Sequence, residues 1–200
     1  MLTRPGEGEP DSIWVTVEFP VALAVVQHFF ADTERLLRLH PHLEIGAWRT
    51  HPGGGFTLVA RNETTGIELR TELQRLDDEP ASGFTLVFDQ GLKRQTVFRC
   101  VACGDRTHVT VTEYYRELSG PDDTRAAEVD STLTAWIVAL QRHLLARQRW
   151  GWLPGWHRWN EGFLPRRTPR QRRIVRLLLW ISGLEFLIFL AAVLVLRVAV

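Results

Sequence analysis

The sequence predicts an α+β protein in which one antiparallel β-sheet packs on a long helix, followed by a single apolar helix. Three observations predict this class. Short stretches of alternating polar and apolar residues recur through residues 13–117 and are separated by brief turns. One long amphipathic segment follows them. The apolar run 177–196 then lies close to the end of the chain.

Charge is divided unevenly along the chain. Residues 1–150 carry 16 Lys and Arg against 21 Asp and Glu, whereas residues 151–200 carry 8 Arg against 2 Glu. The acidic body argues against a nucleic-acid partner, and a hydrophobic content of 45% excludes wholesale disorder. Two cysteines cannot form a disulfide scaffold. Lys93 is the one lysine among 24 cationic side chains, so the preference for arginine is global.

The first elements follow a polar stretch, residues 1–11, which we expect to be flexible. Residues 13–19 alternate and predict a half-buried strand. Pro20 ends this strand and opens a helix over residues 21–30. Asp32 is a suitable N-cap for a second short helix, which we expect to end before Pro41.

Six further strands are predicted where the alternation resumes. They lie at about residues 43–50, 56–62, 66–76, 84–89, 95–102 and 107–117. The breaks between them are short and rich in Gly, Asn and Asp, which favour turns. Consecutive strands joined by short loops pair antiparallel, so the sequence predicts a meander.

The last element of the body is a helix of about 25 residues that begins near Pro121–Thr124. Its apolar side chains share one face: Val129, Leu133, Trp136, Ile137, Leu140 and Leu144. A helix with one broad apolar face must cover an apolar surface, and the meander supplies it. We therefore expect one domain over residues 12–149.

The element order β-αα-β6-α resembles the helix-grip fold of the SRPBCC superfamily, which includes START lipid-transfer domains, pollen allergens and polyketide cyclases. The resemblance covers residues 12–149 and also rests on two stretches, VEFPVALAVVQHFF at residues 17–30 and DQGLKR at residues 89–94. It implies a curved antiparallel sheet around the long helix. It also implies a deep apolar cavity between them that binds a hydrophobic ligand.

Alternation assigns a set of side chains to the inner face of the sheet, with three helix residues closing over them. We expect them to line the cavity, and a packed core is the alternative for each. They are Leu58, Leu69, Thr71, Leu73, Phe84, Leu86, Phe88, Thr96, Phe98, Val109, Val111, Glu113, Tyr115, Trp136, Leu140 and Leu144.

Four of these inward positions are polar: Thr71, Thr96, Glu113 and Tyr115. A polar group on an inward face needs a partner from the protein or from a ligand. Glu113 is the candidate pocket carboxylate. The alternative is that a bulge or the end of the strand turns Glu113 toward solvent.

Two other motifs suggest chemistry but lack the residues to complete it. Cys100 and Cys103 match C-x-x-C, yet a zinc site needs further ligands and a thioredoxin-like motif would open a helix, so we attribute the spacing to chance. His40 and His42 flank a proline without a nearby carboxylate cluster and indicate a polar turn. We expect neither a bound metal nor a cofactor.

Residues 169–200 are predicted to form a transmembrane helix, with Thr168 as N-cap and Pro169 as the first helical residue. The twenty residues 177–196 contain one charge and suffice to cross roughly 30 Å of hydrocarbon. Seven arginines precede this run closely and one follows it. The positive-inside rule then predicts a single-pass, tail-anchored protein of the inner membrane with its body in the cytoplasm.

Residues 150–168 form an aromatic segment that we expect to lie at the membrane surface. The aromatic side chains are Trp150, Trp152, Trp156, Trp159 and Phe163, and the arginines beside them are Arg166, Arg167, Arg170, Arg172 and Arg173. We expect the arginines that follow Pro169 to face water in the first turns of the apolar helix; they are Arg170, Arg172, Arg173 and Arg176. The alternative is that the aromatic rings pack back onto the body.

Glu185 lies near the middle of the apolar run, where an ionised group is costly. It would contact a partner membrane protein or serve a proton or quinone site. The alternative is a neutral carboxyl group beside Ser182, one turn earlier.

The leading functional hypothesis is a membrane-anchored cytoplasmic module that binds a lipid, quinone or isoprenoid and exchanges it with the bilayer. The first alternative is a cyclase or dehydratase with Glu113 and Tyr115 as acid and base groups. The second alternative is an accessory or assembly subunit of a membrane complex. An enzyme needs several convergent polar groups, and the sequence offers one or two, so binding is favoured over catalysis.

Overall fold

The computed structural model describes residues 12–64, 66–78, 82–116 and 132–198. Its elements are β1 (Ser12–Phe19), α1 (Leu23–Phe30), α2 (Thr33–Arg38), β2 (Leu43–Thr50), β3 (Gly55–Asn62), β4 (Glu68–Asp77), β5 (Gly83–Phe88), β6 (Lys93–Cys103), β7 (Arg106–Tyr115), α3 (Thr132–Trp150) and α4 (Pro169–Val198). Two short helical turns, Arg158–Phe163 and Leu164–Arg166, separate α3 from α4. The predicted N-terminal stretch and the predicted start of the long helix near Pro121 lie outside the described residues.

The seven strands form one antiparallel sheet in the order β1-β7-β6-β5-β4-β3-β2. The six later strands are a meander, as predicted, and β1 completes the sheet by pairing with β7, where Val17 lies opposite Val109. The apolar face of α3 is buried against the sheet through Leu133, Trp136, Ile137, Leu140 and Leu144. The predicted fold class is confirmed, because this arrangement is the helix-grip fold.

The two short helices are fixed by local and long-range hydrogen bonds. The carboxylate of Asp32 accepts the backbone N–H of Arg35 at 3.0 Å, so Asp32 is the N-cap of α2 as predicted. Arg75 on β4 donates to the carbonyl oxygen of Phe30 at 2.6 Å and to Thr33 Oγ1 at 3.1 Å. These bonds hold the junction of α1 and α2 against the sheet.

Aromatic side chains fill the concave side of the sheet where α3 crosses it. Phe98 stacks on Phe84 with ring centroids 4.5 Å apart. Phe30 and Trp136 meet Phe98 edge-on, each at 5.5 Å. The indole N–H of Trp136 donates to the carbonyl oxygen of Leu36 at 2.9 Å, which ties α3 to α2.

The helix α4 begins at Pro169 with a reciprocal cap. Thr168 Oγ1 accepts the backbone N–H of Gln171 at 3.2 Å, and Gln171 Oε1 accepts that of Thr168 at 3.3 Å. The most apolar 18-residue stretch of α4 has a mean hydropathy of 2.4, and none of it is buried. By length and composition, α4 is able to span a membrane.

The first turns of α4 attach to the body, which corrects one expectation. Arg172 does not face water: it is 7% exposed, and its guanidinium donates to the carbonyl oxygens of Arg38 at 2.7 Å and His40 at 3.0 Å. These carbonyls lie at or just beyond the C-terminal end of α2, where helix carbonyls lack partners and attract cations. Glu63 accepts the Arg170 backbone N–H at 3.0 Å and the Arg173 guanidinium at 2.8 Å.

We expect Phe98→Ala to lower the free energy of unfolding by about 3–5 kcal/mol, because the substitution opens a cavity among three aromatic neighbours. Val101→Ala on the same strand is the control, since Val101 is 58% exposed. It should change stability by less than about 0.5 kcal/mol. Denaturant titration of the full chain in detergent measures both, and equal effects would contradict the assigned core.

Candidate functional site

A cavity of about 220 Å³ lies between the sheet, the loop after α2 and the first turns of α3. Apolar side chains form most of its wall, and polar groups converge from the two turns that follow β3 and β5. The lining residues are Leu37, His40, Leu43, Leu58, Asn62, Ile67, Glu68, Leu69, Phe88, Gln90, Gly91, Leu92, Lys93, Tyr115, Thr132 and Trp136.

Part of the predicted set of residues lines this cavity. Of the sixteen predicted lining residues, five line it: Leu58, Leu69, Phe88, Tyr115 and Trp136. The other eleven are buried but do not line it: Thr71, Leu73, Phe84, Leu86, Thr96, Phe98, Val109, Val111, Glu113, Leu140 and Leu144. Aromatic packing accounts for several of these positions, because the rings of Phe30, Phe84 and Trp136 surround Phe98 and fill the space beside it.

Glu113 is the buried carboxylate beside this cavity. It is 1% exposed, and both of its oxygens are engaged: Lys93 Nζ donates to Oε1, and the Tyr115 hydroxyl donates to Oε2. The alternative that Glu113 faces solvent is therefore wrong. Its carboxylate joins two residues that line the cavity, although Glu113 itself lies behind the wall.

A β-bulge brings Lys93 to the inner face. Inward residues on β6 alternate through Thr96 and Phe98, which would place Lys93 outside. The register of β6 and β7 shifts between Lys93 and Gln95, so that Lys93 lies opposite Tyr115. Alternation of polar and apolar residues does not predict that Lys93 faces inward. The sequence feature that distinguishes Lys93 is that it is the one lysine of the chain.

Two aromatic rings flank the Lys93 ammonium group. Nζ lies 5.8 Å from the ring centroid of Phe88 and 5.9 Å from that of Trp136. An ammonium group has three N–H donors, and Glu113 accepts one. Across the described part of the chain, the other two donate to no protein group.

His40 is a second polar residue of the lining near Trp136. It is 8% exposed, and its ring lies 5.4 Å from that of Trp136. Burial lowers the pKa of His40 well below 6.5, and the positive charges of Lys93, His42 and Arg172 lower it further. Nδ1 accepts the backbone N–H of His42 at 3.2 Å, so the neutral ring carries its proton on Nε2.

The two inward threonines differ in their partners. Thr71 Oγ1 accepts the backbone N–H of Gln90 at 3.0 Å and donates to the carbonyl oxygen of Glu72 at 3.1 Å, which fixes the turn after β5. Thr96 Oγ1 is buried and has no hydrogen-bond partner within the described ranges. Thr71 therefore supports the cavity wall from behind.

The cysteines and histidines form no metal centre in the described residues, where no group of three or more His, Cys, Asp or Glu side chains converges. Burial raises the pKa of Cys100 to about 12, so its thiol stays protonated and unreactive. Cys103 is exposed. His40 and His42 lie in a turn, as expected, but His40 also reaches the cavity.

The aromatic segment, residues 150–168, divides between body and surface. Trp156 is half-buried and its ring lies 6.1 Å from that of His143 on α3, so this side chain packs onto the body. The remaining aromatic side chains of the segment are exposed. They are Trp150, Trp152, Trp159 and Phe163.

The exposed part of the segment is also ordered by stacking. Trp159 stacks on Phe163 with ring centroids 4.9 Å apart, and the Arg167 guanidinium lies 4.4 Å from the Phe163 centroid. Leu164 and Pro165, which follow directly, are buried. Trp159, Phe163 and Arg167 are therefore at the protein surface, whereas the turn that contains Leu164 and Pro165 is buried.

Comparison with known proteins identifies the fold. No protein-family model and no curated protein matches the sequence. A START superfamily protein from Mycobacterium smegmatis is 17% identical with a TM-score of 0.53, over 68% of this chain and 97% of that one. The Zhui aromatase/cyclase from Streptomyces sp. R1128 is 16% identical with a TM-score of 0.50, over 70% and 97%.

A third solved structure, of a protein from Thermus thermophilus, is 16% identical with a TM-score of 0.53, over 68% of this chain and 97% of that one. In all three the shared part is about two thirds of this chain. The resemblance expected from the sequence is therefore confirmed as a likeness of fold.

Two buried histidines, His40 and His143, are expected to make the free energy of unfolding depend on pH. Burial lowers the pKa of His40 well below 6.5 and that of His143 to about 4. Below about pH 6.5 the unfolded chain therefore binds more protons than the folded one, so stability falls as pH falls. Between about pH 6 and pH 5, each of these two histidines lowers the free energy of unfolding by up to about 1.4 kcal/mol per pH unit of acidification.

Denaturant unfolding of the full chain at about pH 7 and pH 5 tests this linkage. His40→Asn retains an acceptor for the His42 N–H, and His143→Phe retains stacking on Phe29, whose ring lies 5.7 Å away. Each variant should show a smaller loss of stability on acidification than the wild-type protein. A loss unchanged in both variants would contradict the assigned burial.

Proposed function

We propose that the protein is a membrane-anchored binding module that holds a hydrophobic ligand in its cavity and exchanges it with the adjacent bilayer. The observation that carries the proposal is the attachment of the start of α4 to the loops that border the cavity. These hydrogen bonds place the border of the cavity next to the start of the helix that we propose to be the membrane anchor.

The cavity supports the binding part of the proposal. Its wall combines many apolar side chains with a few polar groups, which is the usual composition of a small-molecule site. One solved structure of the same fold is described as a START superfamily protein and another as an aromatase/cyclase. Both descriptions are compatible with an apolar ligand or substrate in this position.

The hydrogen bonds of α4 support the exchange part. The Arg172 guanidinium donates to the carbonyl oxygen of His40, a cavity-lining residue. Glu63, which binds Arg170 and Arg173, directly follows the lining residue Asn62. If α4 spans the membrane, the border of the cavity therefore lies close to the membrane surface, and the ligand has a short path to it.

The sequence and exposure of α4 and the aromatic segment support anchoring. We propose that Trp152, Trp159 and Phe163 lie at the headgroup level beside Arg166 and Arg167, where indole rings and arginines favour anionic lipid surfaces. The excess of arginine before the apolar run favours a body on the cytoplasmic side of the inner membrane.

Glu185 is part of the same proposal. If α4 spans the membrane, Glu185 lies in the hydrocarbon, where an ionised carboxylate is costly. We propose that it contacts a partner helix or carries a proton.

A cyclase or dehydratase remains the second candidate function. The observation in its favour is the convergence of Lys93, Glu113 and Tyr115, which provides proton donors and an acceptor beside the cavity. Binding is favoured because both oxygens of Glu113 already accept hydrogen bonds from protein groups. A base in that position would have to exchange one of these partners for substrate.

Filling the cavity should remove the ligand. Leu69→Trp adds a large ring at a half-buried lining residue, at a stability cost of about 1–3 kcal/mol. Leu76→Trp makes the same change at a 54% exposed residue of the same strand and is the control. Native mass spectrometry and lipid extraction of the full chain should show ligand per mole reduced in the first variant alone. Equal occupancy in both variants would contradict the cavity as the binding site.

Anchoring should depend on the apolar run of α4, residues 177–196. Replacing Leu187 and Leu190 with Arg places two charges in the centre of the span at about 2.5–3.5 kcal/mol each. We expect the double variant to be released from membranes by alkaline carbonate. The same two positions changed to Ala form the control and should stay in the membrane fraction. Retention of the Arg variant would show that α4 does not anchor the chain.

A further inference from the structure

We infer that the cavity recognises a neutral carbonyl oxygen on an otherwise apolar ligand, through a polar corner formed by Lys93, Glu113, Tyr115 and His40. The inference rests on the proposed function, because it names the chemical class of the ligand that the same cavity would hold. Four observations lead to it: the unused donors, the charge balance, the position of the polar groups and the choice of lysine.

The donors of the corner exceed its acceptors. The Lys93 ammonium group lines the cavity and uses one of its three N–H groups on Glu113. His40 also lines the cavity, and its neutral ring carries a proton on Nε2, which meets no acceptor among the described residues. Unused donors in an apolar wall are costly unless a ligand or water accepts from them.

The charges of the corner cancel. Glu113 compensates Lys93 directly, Tyr115 donates to the same carboxylate, and burial keeps His40 neutral. Glu68, the carboxylate among the described lining residues, is exposed. A ligand carboxylate would therefore bring an uncompensated charge into the cavity, which is costly. A hydrocarbon would leave the donors unused, whereas a neutral carbonyl accepts from them without adding charge.

Lys93 and His40 both lie against Trp136, at 5.9 Å from the ammonium nitrogen to the Trp136 ring and at 5.4 Å between the two rings. Phe88 and Trp136 flank the ammonium group, and the aliphatic side chains of Leu58 and Leu69 line the cavity beyond them. A ligand with one oxygen at one end and hydrocarbon elsewhere matches this distribution.

The choice of lysine fits the same role. The chain uses arginine at every other cationic position, and Lys93 is the exception. A compact ammonium group points donors at a single oxygen, whereas the planar guanidinium favours two-oxygen anions such as carboxylate and phosphate. The side chain of Lys93 is 27% exposed while that of Glu113 is 2% exposed, so the ammonium is the member of the pair open to a ligand.

Three probes with one bicyclic body test the inference on the full chain in detergent. They are 2-acetylnaphthalene, 2-ethylnaphthalene and 2-naphthoate, and isothermal titration calorimetry at one detergent concentration gives their relative affinities. We expect the ketone to bind about 5–10-fold more tightly than the hydrocarbon, the ratio expected for one net hydrogen bond. The carboxylate should bind no more tightly than the ketone.

A double variant, Lys93→Met with Glu113→Gln, removes both charges together and leaves no unpaired buried ion. The ketone should lose most of its advantage over the hydrocarbon in this variant, because the Nε2–H of His40 is then the remaining unused donor of the corner. Arg94→Met removes a cation from the next residue, which is exposed, and should keep the wild-type ratio. The comparison of probes in the wild-type protein needs no variant, so the inference is tested even if the double variant fails to fold.

The outcomes separate this inference from the proposed function. Binding of none of the three probes would overturn both. Equal binding of ketone and hydrocarbon would overturn the inference and leave the binding module intact. Tightest binding of the carboxylate would overturn the argument from charge balance, and a wild-type ratio retained in the double variant would remove Lys93 from recognition.

Discussion

Contacts between Phe98 and its aromatic neighbours determine how much of the sheet's concave side stays open. Phe84 stacks on it, and Phe30 and Trp136 close around it from α1 and α3. These rings fill the space between the sheet and the helices α1 and α3. Trp136 has a second role, because its outer side lines the remaining cavity and its N–H holds α2. Core packing and cavity shape are therefore set by the same side chains.

Hydrogen bonds of charged side chains join the first turns of α4 to the body. Arg172 satisfies carbonyls at the end of α2, and Glu63 holds the first turn of α4 from the loop after β3. Each hydrogen bond of the buried Arg172 guanidinium contributes about 1.5–3 kcal/mol, whereas the exposed pair of Glu63 and Arg173 contributes about 1 kcal/mol at most. Because His40 lies under Arg172, the attachment point and the cavity border are one region of the molecule.

The polar corner follows from one irregularity of the sheet. The bulge before Gln95 turns Lys93, rather than Arg94, to the inner face of the sheet and so gives Glu113 its ammonium partner. A buried carboxylate without a partner is strongly destabilising. The bulge thus stabilises Glu113 and at the same time delivers unused N–H donors to the cavity. This dual effect explains why a polar group is tolerated on an otherwise apolar face.

Periodicity and local capping were sufficient for the order of the elements, the antiparallel meander, the caps at Asp32 and Thr168 and the apolar helix, because these depend on residues near each other in the chain. They also identified the inner face of the sheet. They could not separate cavity wall from packed core, since that depends on side-chain volumes contributed by distant elements. Nor could they place Lys93, which a register shift turns inward, or Arg172, whose acceptors lie more than 130 residues earlier in the chain. Long-range geometry, rather than residue type, decided these positions.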